Sequence, residues 1–280
     1  MTAGEAAARG AQAMAHAGLT EARREAVALV RALAGVDPRL HPERALSAAD
    51  AAACAAAMAR RAGREPFAYV VGRREFWGLD LAVAPGVFIP RPETEGLVAA
   101  ALNRWPRAGA LACDLCTGSG AVALALASAL PSAHIDATDV AAQAVAAAGN
   151  NARRLLLADR VAPVRGDLFA PLPPARRSGY DICTCNPPYV DPTVWADLPS
   201  EVRDWEPPGA LVAPEGWRAL YRRLAAGALR WLKPGGWLLC EVGAGQADAV
   251  GALFRAEGLQ AVYARRDLAA IARVVGGRRP

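Results

Sequence analysis

The chain has 280 residues, is 54% hydrophobic and 21% charged, and carries a formal net charge of +5. That composition provides for one large or two modest globular domains and excludes a disordered chain. All 32 basic residues except Lys233 are arginine, and alanine abounds; the pattern resembles genomic bias, so the charge is weak support for a nucleic-acid partner.

Residues 1 to about 70 read as helical. Ala22, Ala26, Leu29, Val30 and Leu33 share one helix face over Glu21 to Leu33, with Thr20 as expected N-cap and Gly35 as stop. Ser47 to Arg61 forms another helix, capped by Ser47. This block carries no Gly-rich loop and no catalytic constellation, so it suits a partner grip; the plainer alternative is a stability appendage. From residue 62 to 95 glycines and prolines break any helix. The β-prone runs Phe67 to Val71, Glu75 to Leu81 and Val87 to Ile89 predict a linker carrying a hairpin. Thr94 or Glu95 then opens a helix running to about Trp105. The domain boundaries expected are 1–70 helical, 71–90 hairpin linker and 91–280 catalytic.

From residue 110 strands and helices alternate, the mark of a mostly parallel α/β sheet. Strands are expected at 110–115, 135–139, 161–164, 180–185 and 236–242, with a last antiparallel pair at 259–265 and 271–275. Helices are expected at 121–129, 140–157, 215–232 and 246–257. The turn Cys116-Thr117-Gly118-Ser119-Gly120 lets a helix N-terminus approach a ligand. Asp139 lies about 20 residues beyond the turn, where an acid bonds ribose hydroxyls in dinucleotide sites. Asp114 disfavours a pyrophosphate and suits a ligand ammonium. Ribose plus ammonium without phosphate points to S-adenosyl-L-methionine. Asp167 is placed to accept from an adenine amino group, or else to cap a turn.

The six cysteines include a C-x-x-C (Cys113, Cys116) and a C-x-C (Cys183, Cys185). They fall in or beside buried strands, as core residues do, whereas zinc knuckles sit on turns. Reduced thiols and no metal are expected. The N-terminus lacks a signal-peptide pattern and no stretch of about 18 strongly apolar residues occurs, so a cytoplasmic protein without a membrane span is expected.

Asn186-Pro187-Pro188-Tyr189 follows the strand 180–185. Two prolines stiffen the backbone and remove its donors. The loop presents an amide oxygen, a carbonyl and a ring, which suit a planar NH2 group: the acceptors take its hydrogens and the ring stacks on its face. The bland reading is a proline-rich turn with a surface tyrosine.

Together, Asp114-Leu115-Cys116-Thr117-Gly118-Ser119-Gly120, Asp139, Gly166-Asp167 and Asn186-Pro187-Pro188-Tyr189 resemble the class I, seven-stranded methyltransferases that modify planar nitrogens. Ala68-Tyr69, Gly72, Glu75-Phe76-Trp77-Gly78, Ile89-Pro90-Arg91-Pro92-Glu93-Thr94-Glu95, Glu206-Pro207 and Ala210-Leu211 narrow the resemblance to the protein-(glutamine-N5) methyltransferases of peptide-chain release factors. It covers nearly the whole chain. It implies a Rossmann-like sheet behind a small helical domain and a hairpin linker, and a glutamine in a Gly-Gly-Gln loop as methyl acceptor. The cofactor-binding residues it implies are Asp114, Thr117, Gly118, Gly120, Asp139, Asp167, Leu168 and Asn186. Asn186, Pro187 and Tyr189 would be catalytic. Pro188, Phe88 and Arg91 would join them around the substrate. A monomer acting on a protein, without direct nucleic-acid binding, is expected.

Two departures stand out. Cys116 occupies a position usually held by Gly, and a Cys there is expected to keep negative φ. The stretch Asp191 to Asp204 is shorter and less polar than the family leads one to expect. The alternatives are adenine-N6 methylation of nucleic acid, which uses the same motif on a flipped base, N-methylation of a small molecule or peptide, and a non-catalytic S-adenosylmethionine-binding adaptor.

Overall fold

A computed structural model describes residues 1–105 and 110–280, which divide into two compact units. The first comprises Met1–Arg73 and, from much further along the chain, Pro199–Trp205. Its helices are α1 (Ala3–His16), α2 (Ala22–Ala34), α3 (Ala48–Ala62) and the single turn α4 (Phe67–Val71). Thr2 and Glu5 form a reciprocal capping box at α1. Ser47 caps α3 by accepting from the Asp50 N–H, as expected. Thr20 does not cap α2; Glu21 stands at that position and makes no side-chain cap bond. The unit's core joins Met14, Leu29, Val30, Cys54 and Met58.

Phe67–Val71 is helical rather than extended. Its residues favour strands, but Pro66 pre-sets the first turn and Gly72, at φ 78°, ends it. Tertiary burial of Ala68, Tyr69 and Val70 outweighs propensity over so short a run. The insertion Pro199–Trp205 is held in this unit by Arg61, itself only 4% exposed. Its guanidinium donates to Glu25 at 2.5 and 3.1 Å and to Glu201 at 2.8 Å. An open groove of about 1200 Å³ is lined by Ala7, Ala11, Val27, Arg24, Arg31 and Arg39, among others.

The second unit is the α/β layer. From the last residue of the first unit's opening segment onward, the hairpin strands β1 (Arg73–Phe76) and β2 (Leu79–Ala82) form a separate two-stranded sheet among the described residues. Val87 to Ile89, expected to be extended, form no strand; they belong to the loop before α5 (Glu95–Leu102). Then follow β3 (Leu111–Leu115), α6 (Ala121–Ala129), β4 (His134–Asp139), α7 (Ala142–Arg154), β5 (Val161–Arg165) and β6 (Tyr180–Cys185). The short α8 (Ser200–Arg203) falls in the first unit's insertion; α9 (Trp217–Trp231), β7 (Leu232–Glu241), α10 (Ala247–Ala256), β8 (Gln260–Arg266) and β9 (Ala272–Arg278) complete the chain. No helix among the described residues is long and apolar enough to cross a membrane.

The seven strands lie in the order β5-β4-β3-β6-β7-β9-β8, parallel except that β9 runs against both neighbours. Both faces of the central strands are covered, so the strands read as nearly continuous apolar runs. Alternation sorts them: Cys113, Leu115, Cys183, Cys185, Leu238 and Cys240 face one core, and Ala112, Ile182 and Leu239 the other. All six cysteines are free thiols. Helix α6 is buried along most of its length, which explains its all-apolar sequence.

The consequence for function is topological. From β3 the chain winds outward to β4 and β5, then returns to lay β6 on the other side of β3. That reversal opens a crevice at the C-terminal ends of β3 and β6, where ligands bind in open α/β sheets. Leu115 pairs with Cys185, so the turn beginning at Cys116 and the loop beginning at Asn186 leave the sheet side by side.

Candidate active site

The turn after β3 is built around Asp114, a carboxylate only 1% exposed. The Thr117 hydroxyl donates to its Oδ2 at 2.6 Å and the Thr184 hydroxyl to its Oδ1 at 2.7 Å. Burial pushes its pKa up to about 6, against the lowering effect of those two hydroxyls. Cys116 adopts φ 56°, in the left-handed region, so the expectation of negative φ is wrong. The turn must swing the chain from β3 into α6, and the fold imposes the left-handed conformation on whichever residue stands there. Gly120 is required by packing: a Cβ there would meet Ala148 and Leu124 at 3.1 Å, at a φ of 83°.

Asp139 ends β4 half-buried, its carboxylate accepting from the Gly118 and Ala141 N–H groups at 2.9 Å each. Burial raises its pKa, and those backbone donors oppose the rise. Leu168 is buried at φ 47°, and the Thr138 hydroxyl donates to its carbonyl at 2.8 Å. Asp167 is exposed and ion-paired with Arg223, so its carboxylate is shared with α9 rather than held free.

The loop after β6 forms the other wall. Asn186 is half-buried and its Nδ2 donates to the Thr94 hydroxyl at 3.2 Å. Pro187 is buried and Pro188 half-buried. Tyr189 is half-buried, with its hydroxyl donating to Glu241 Oε1 at 3.1 Å; burial and that carboxylate raise its pKa. Gln246 fixes the loop further: its Nε2 donates to the Tyr189 carbonyl at 2.9 Å while its Oε1 accepts from the Gly243 N–H.

The proline-rich stretch 89–95 is wired into the same unit residue by residue. Arg91 is ion-paired with the buried Glu206, which also accepts from the Ile89 N–H at 3.2 Å. The Arg91 guanidinium lies 4.9 Å from the centre of the half-buried Phe88 ring. Glu95 accepts from the Trp77 N–H at 2.8 Å, and Thr94 reaches Asn186. Asn151, fully buried on α7, takes the Ala82 N–H on its Oδ1 and donates to the Ala82 and Ser119 carbonyls. It bolts the hairpin to the turn after β3. Sequence reading missed both Asn151 and Glu241: each looks like an ordinary helix or strand residue until its distant partners are brought to it.

A Rossmann-like sheet with a Gly-containing turn after β3, an acid ending β4 and an Asn-Pro-Pro-Tyr loop after β6 defines the class I methyltransferase architecture. The family model described as methyltransferase small domain matches residues 84–197, and that described as PrmC N-terminal domain matches residues 5–72. The protein called release factor glutamine methyltransferase in Geobacter sulfurreducens is 39% identical over 95% of this chain and 92% of its own. The one of that name in Cereibacter sphaeroides is 41% identical over 95% of each. This chain belongs to the release factor glutamine methyltransferase family. Among solved structures, the hMettl16 catalytic domain in complex with a MAT2A 3′UTR hairpin shares the fold, with a TM-score of 0.59 at 17% identity over 83% of each chain.

Proposed function

We propose that this protein uses S-adenosyl-L-methionine to methylate the side-chain N5 of a glutamine in the Gly-Gly-Gln loop of peptide-chain release factors, as a cytoplasmic monomer. The observation that carries the reading is the side-by-side exit of the Cys116 turn and the Asn186 loop at the sheet's switch point. The residues suit the cofactor. Buried Asp114 matches an ammonium and half-buried Asp139 a ribose diol. A Cβ added at Gly118 would meet no described atom within 4 Å, so the turn faces open space. When bound, the cofactor supplies its sulfonium methyl: the S–CH3 bond breaks as the N–CH3 bond forms, and the displaced amide proton leaves to water.

The chain's own contribution is orientation. An amide nitrogen is a poor nucleophile because its lone pair is delocalised. Asn186 Oδ1 and the Pro187 carbonyl accept the two hydrogens of the target NH2, which draws the nitrogen out of resonance and holds it in line. Tyr189, fixed through its hydroxyl on Glu241, packs against the amide plane. Phe88 and Arg91 line the entrance. Orientation of this kind supplies on the order of 7–11 kcal/mol of barrier lowering when near-attack geometry is reached. The arginine-lined groove of the helical unit grips the release factor. The test is methyl transfer from labelled cofactor to release factors, tRNA, DNA and free glutamine. Label is expected on the release-factor glutamine alone; label on nucleic acid with none on release factor would overturn the reading.

A further inference from the structure

Residues 186–189 include two consecutive prolines, so this loop has few N–H groups with which to hold its own backbone. Among the described residues the Pro187 and Pro188 carbonyls accept no hydrogen bond. The loop is fixed instead at its exit, on the peptide unit that joins Tyr189 to Val190. The N–H of that unit, on Val190, donates to the Leu211 carbonyl at 2.8 Å. Its carbonyl, on Tyr189, accepts from Gln246 Nε2 at 2.9 Å. One planar unit is thus gripped at opposite edges.

The Gln246 amide has only one workable direction. The residue stands at the N-cap position of α10, where its side chain makes no cap bond to the helix. Its N–H donates to the Gly243 carbonyl and its carbonyl accepts from the Val250 N–H, each at 3.0 Å. The side chain folds back over the turn between β7 and α10, where Oε1 accepts from the Gly243 N–H at 3.0 Å. A backbone N–H only donates and a backbone carbonyl only accepts. Turning the amide over would set NH2 against N–H and oxygen against oxygen. Both partners therefore direct the donor end to Tyr189. Gly243 leaves the room for this: a Cβ there would meet Gln246 Cδ and Oε1 at 2.9 Å.

We propose that Gln246 is a positioning residue for methyl transfer: by holding the Tyr189 carbonyl at the end of a proline-stiffened arm, it aims the unengaged Pro187 carbonyl and Asn186 at the target NH2. The Leu211 carbonyl is its counterpart on the other edge of the same peptide unit, so the Ala210-Leu211 pair acquires a physical role. The inference rests on the reading of residues 186–189 as the wall that receives the target amide.

The test uses the full chain, a release factor and saturating cofactor in single turnover. Gln246→Met keeps the length of the side chain and removes both hydrogen bonds. It is expected to lower the rate about 10- to 100-fold, as a small misplacement of a reacting group does, with cofactor Kd unchanged. Gly243→Ala keeps Gln246 but pushes its amide off the turn, and is expected to match that loss. The two together are expected to lose no more than either alone, because both act through one contact. Gln246→Glu adds a signature that packing lacks. Its carboxylate still accepts from Gly243 but meets the Tyr189 carbonyl with like polarity, whereas its protonated form restores an O–H donor. Its rate, divided by the wild-type rate at each pH, is expected to rise about 5-fold as pH falls from about 8 to about 5. The same ratio for Gln246→Met is expected to stay level. A wild-type rate for Gln246→Met or Gly243→Ala beside a slow Asn186→Ala overturns the positioning role and leaves the target wall standing. A wild-type rate for Asn186→Ala overturns the wall itself. A Gln246→Glu ratio that stays level with pH, or a full additional loss in the double variant, assigns Gln246 to packing and overturns the inference.

Discussion

Asp114 and Glu241 occupy similar places, the C-terminal ends of β3 and β7, and each is 1% exposed. They are held differently. Asp114 takes hydroxyls from Thr117, three residues on, and from Thr184 on the adjacent strand β6. Both of its oxygens are occupied by donors set on rigid backbone. Glu241 takes Tyr189 from a loop 52 residues away and leaves one oxygen without a partner of good geometry. The difference separates the two walls of the proposed site. The wall proposed for the cofactor is preformed by the sheet and its first turn. The wall proposed for the target is assembled from loops.

The largest expected effect lies on the target side. Asn186→Ala removes one acceptor and leaves the prolines and the cofactor turn intact. Loss of one oriented polar group of this kind costs about 10²–10³ in rate, and kcat and kcat/KM should fall together. Asn186→Asp, which keeps an acceptor, should retain more activity than the alanine variant. Single-turnover methyl transfer to a release factor measures both. If alanine reaches the wild-type rate, the loop is a stiff turn and the contrast between the two sides collapses.

On the cofactor side the sharpest probe is pH. Asp114 has its pKa raised from 3.8 to about 6. The native state therefore holds this proton over a range in which the unfolded chain has released it. Stability of the cofactor-free protein should fall as pH rises from about 4 to about 6, by ~3 kcal/mol from this group. Asp114→Asn should flatten that part of the profile in urea titrations; an unchanged slope would show that the carboxylate is not the buried acid described here. Asp139→Ala should act more modestly, weakening S-adenosylmethionine binding by about 1.5–3 kcal/mol through lost charge-assisted bonds. Calorimetry with equal affinities for variant and wild type would remove Asp139 from the ribose site.

How far each side was legible follows from where its partners come from. Strand β6 and helix α6 match their expected limits because buried apolar runs between Gly and Pro breakers are local signals. Asp114 was legible because its turn and its strand adjoin in sequence. Glu241 was not, since nothing in Leu239-Cys240-Glu241 reveals that β7 will deliver a carboxylate under Tyr189. Glu206 appeared only through the family resemblance, and its role became physical once Arg91 and the Ile89 N–H were found on it. The same limit explains Phe67–Val71, whose helical turn is decided by burial and by Pro66 and Gly72 rather than by its β-prone side chains.

The smallest effect tests whether the cofactor turn is as rigid as the comparison requires. Cys116 sits at φ 56°, a conformation that costs a non-glycine residue roughly 1–2 kcal/mol. Cys116→Gly removes that strain. It also frees the unfolded chain, which costs about 0.5–1 kcal/mol, and loses the side chain's packing against the adjoining core. These terms oppose one another, so the variant should lie within about 1 kcal/mol of wild type in denaturant titration, with cofactor affinity unchanged. Cys116→Val meets the same backbone with a β-branched side chain, for which positive φ is a true outlier. It should be less stable than the glycine variant by about 2 kcal/mol. If valine and glycine are equally stable, the turn relaxes to negative φ at little cost. The cofactor side would then be no more preformed than the target side.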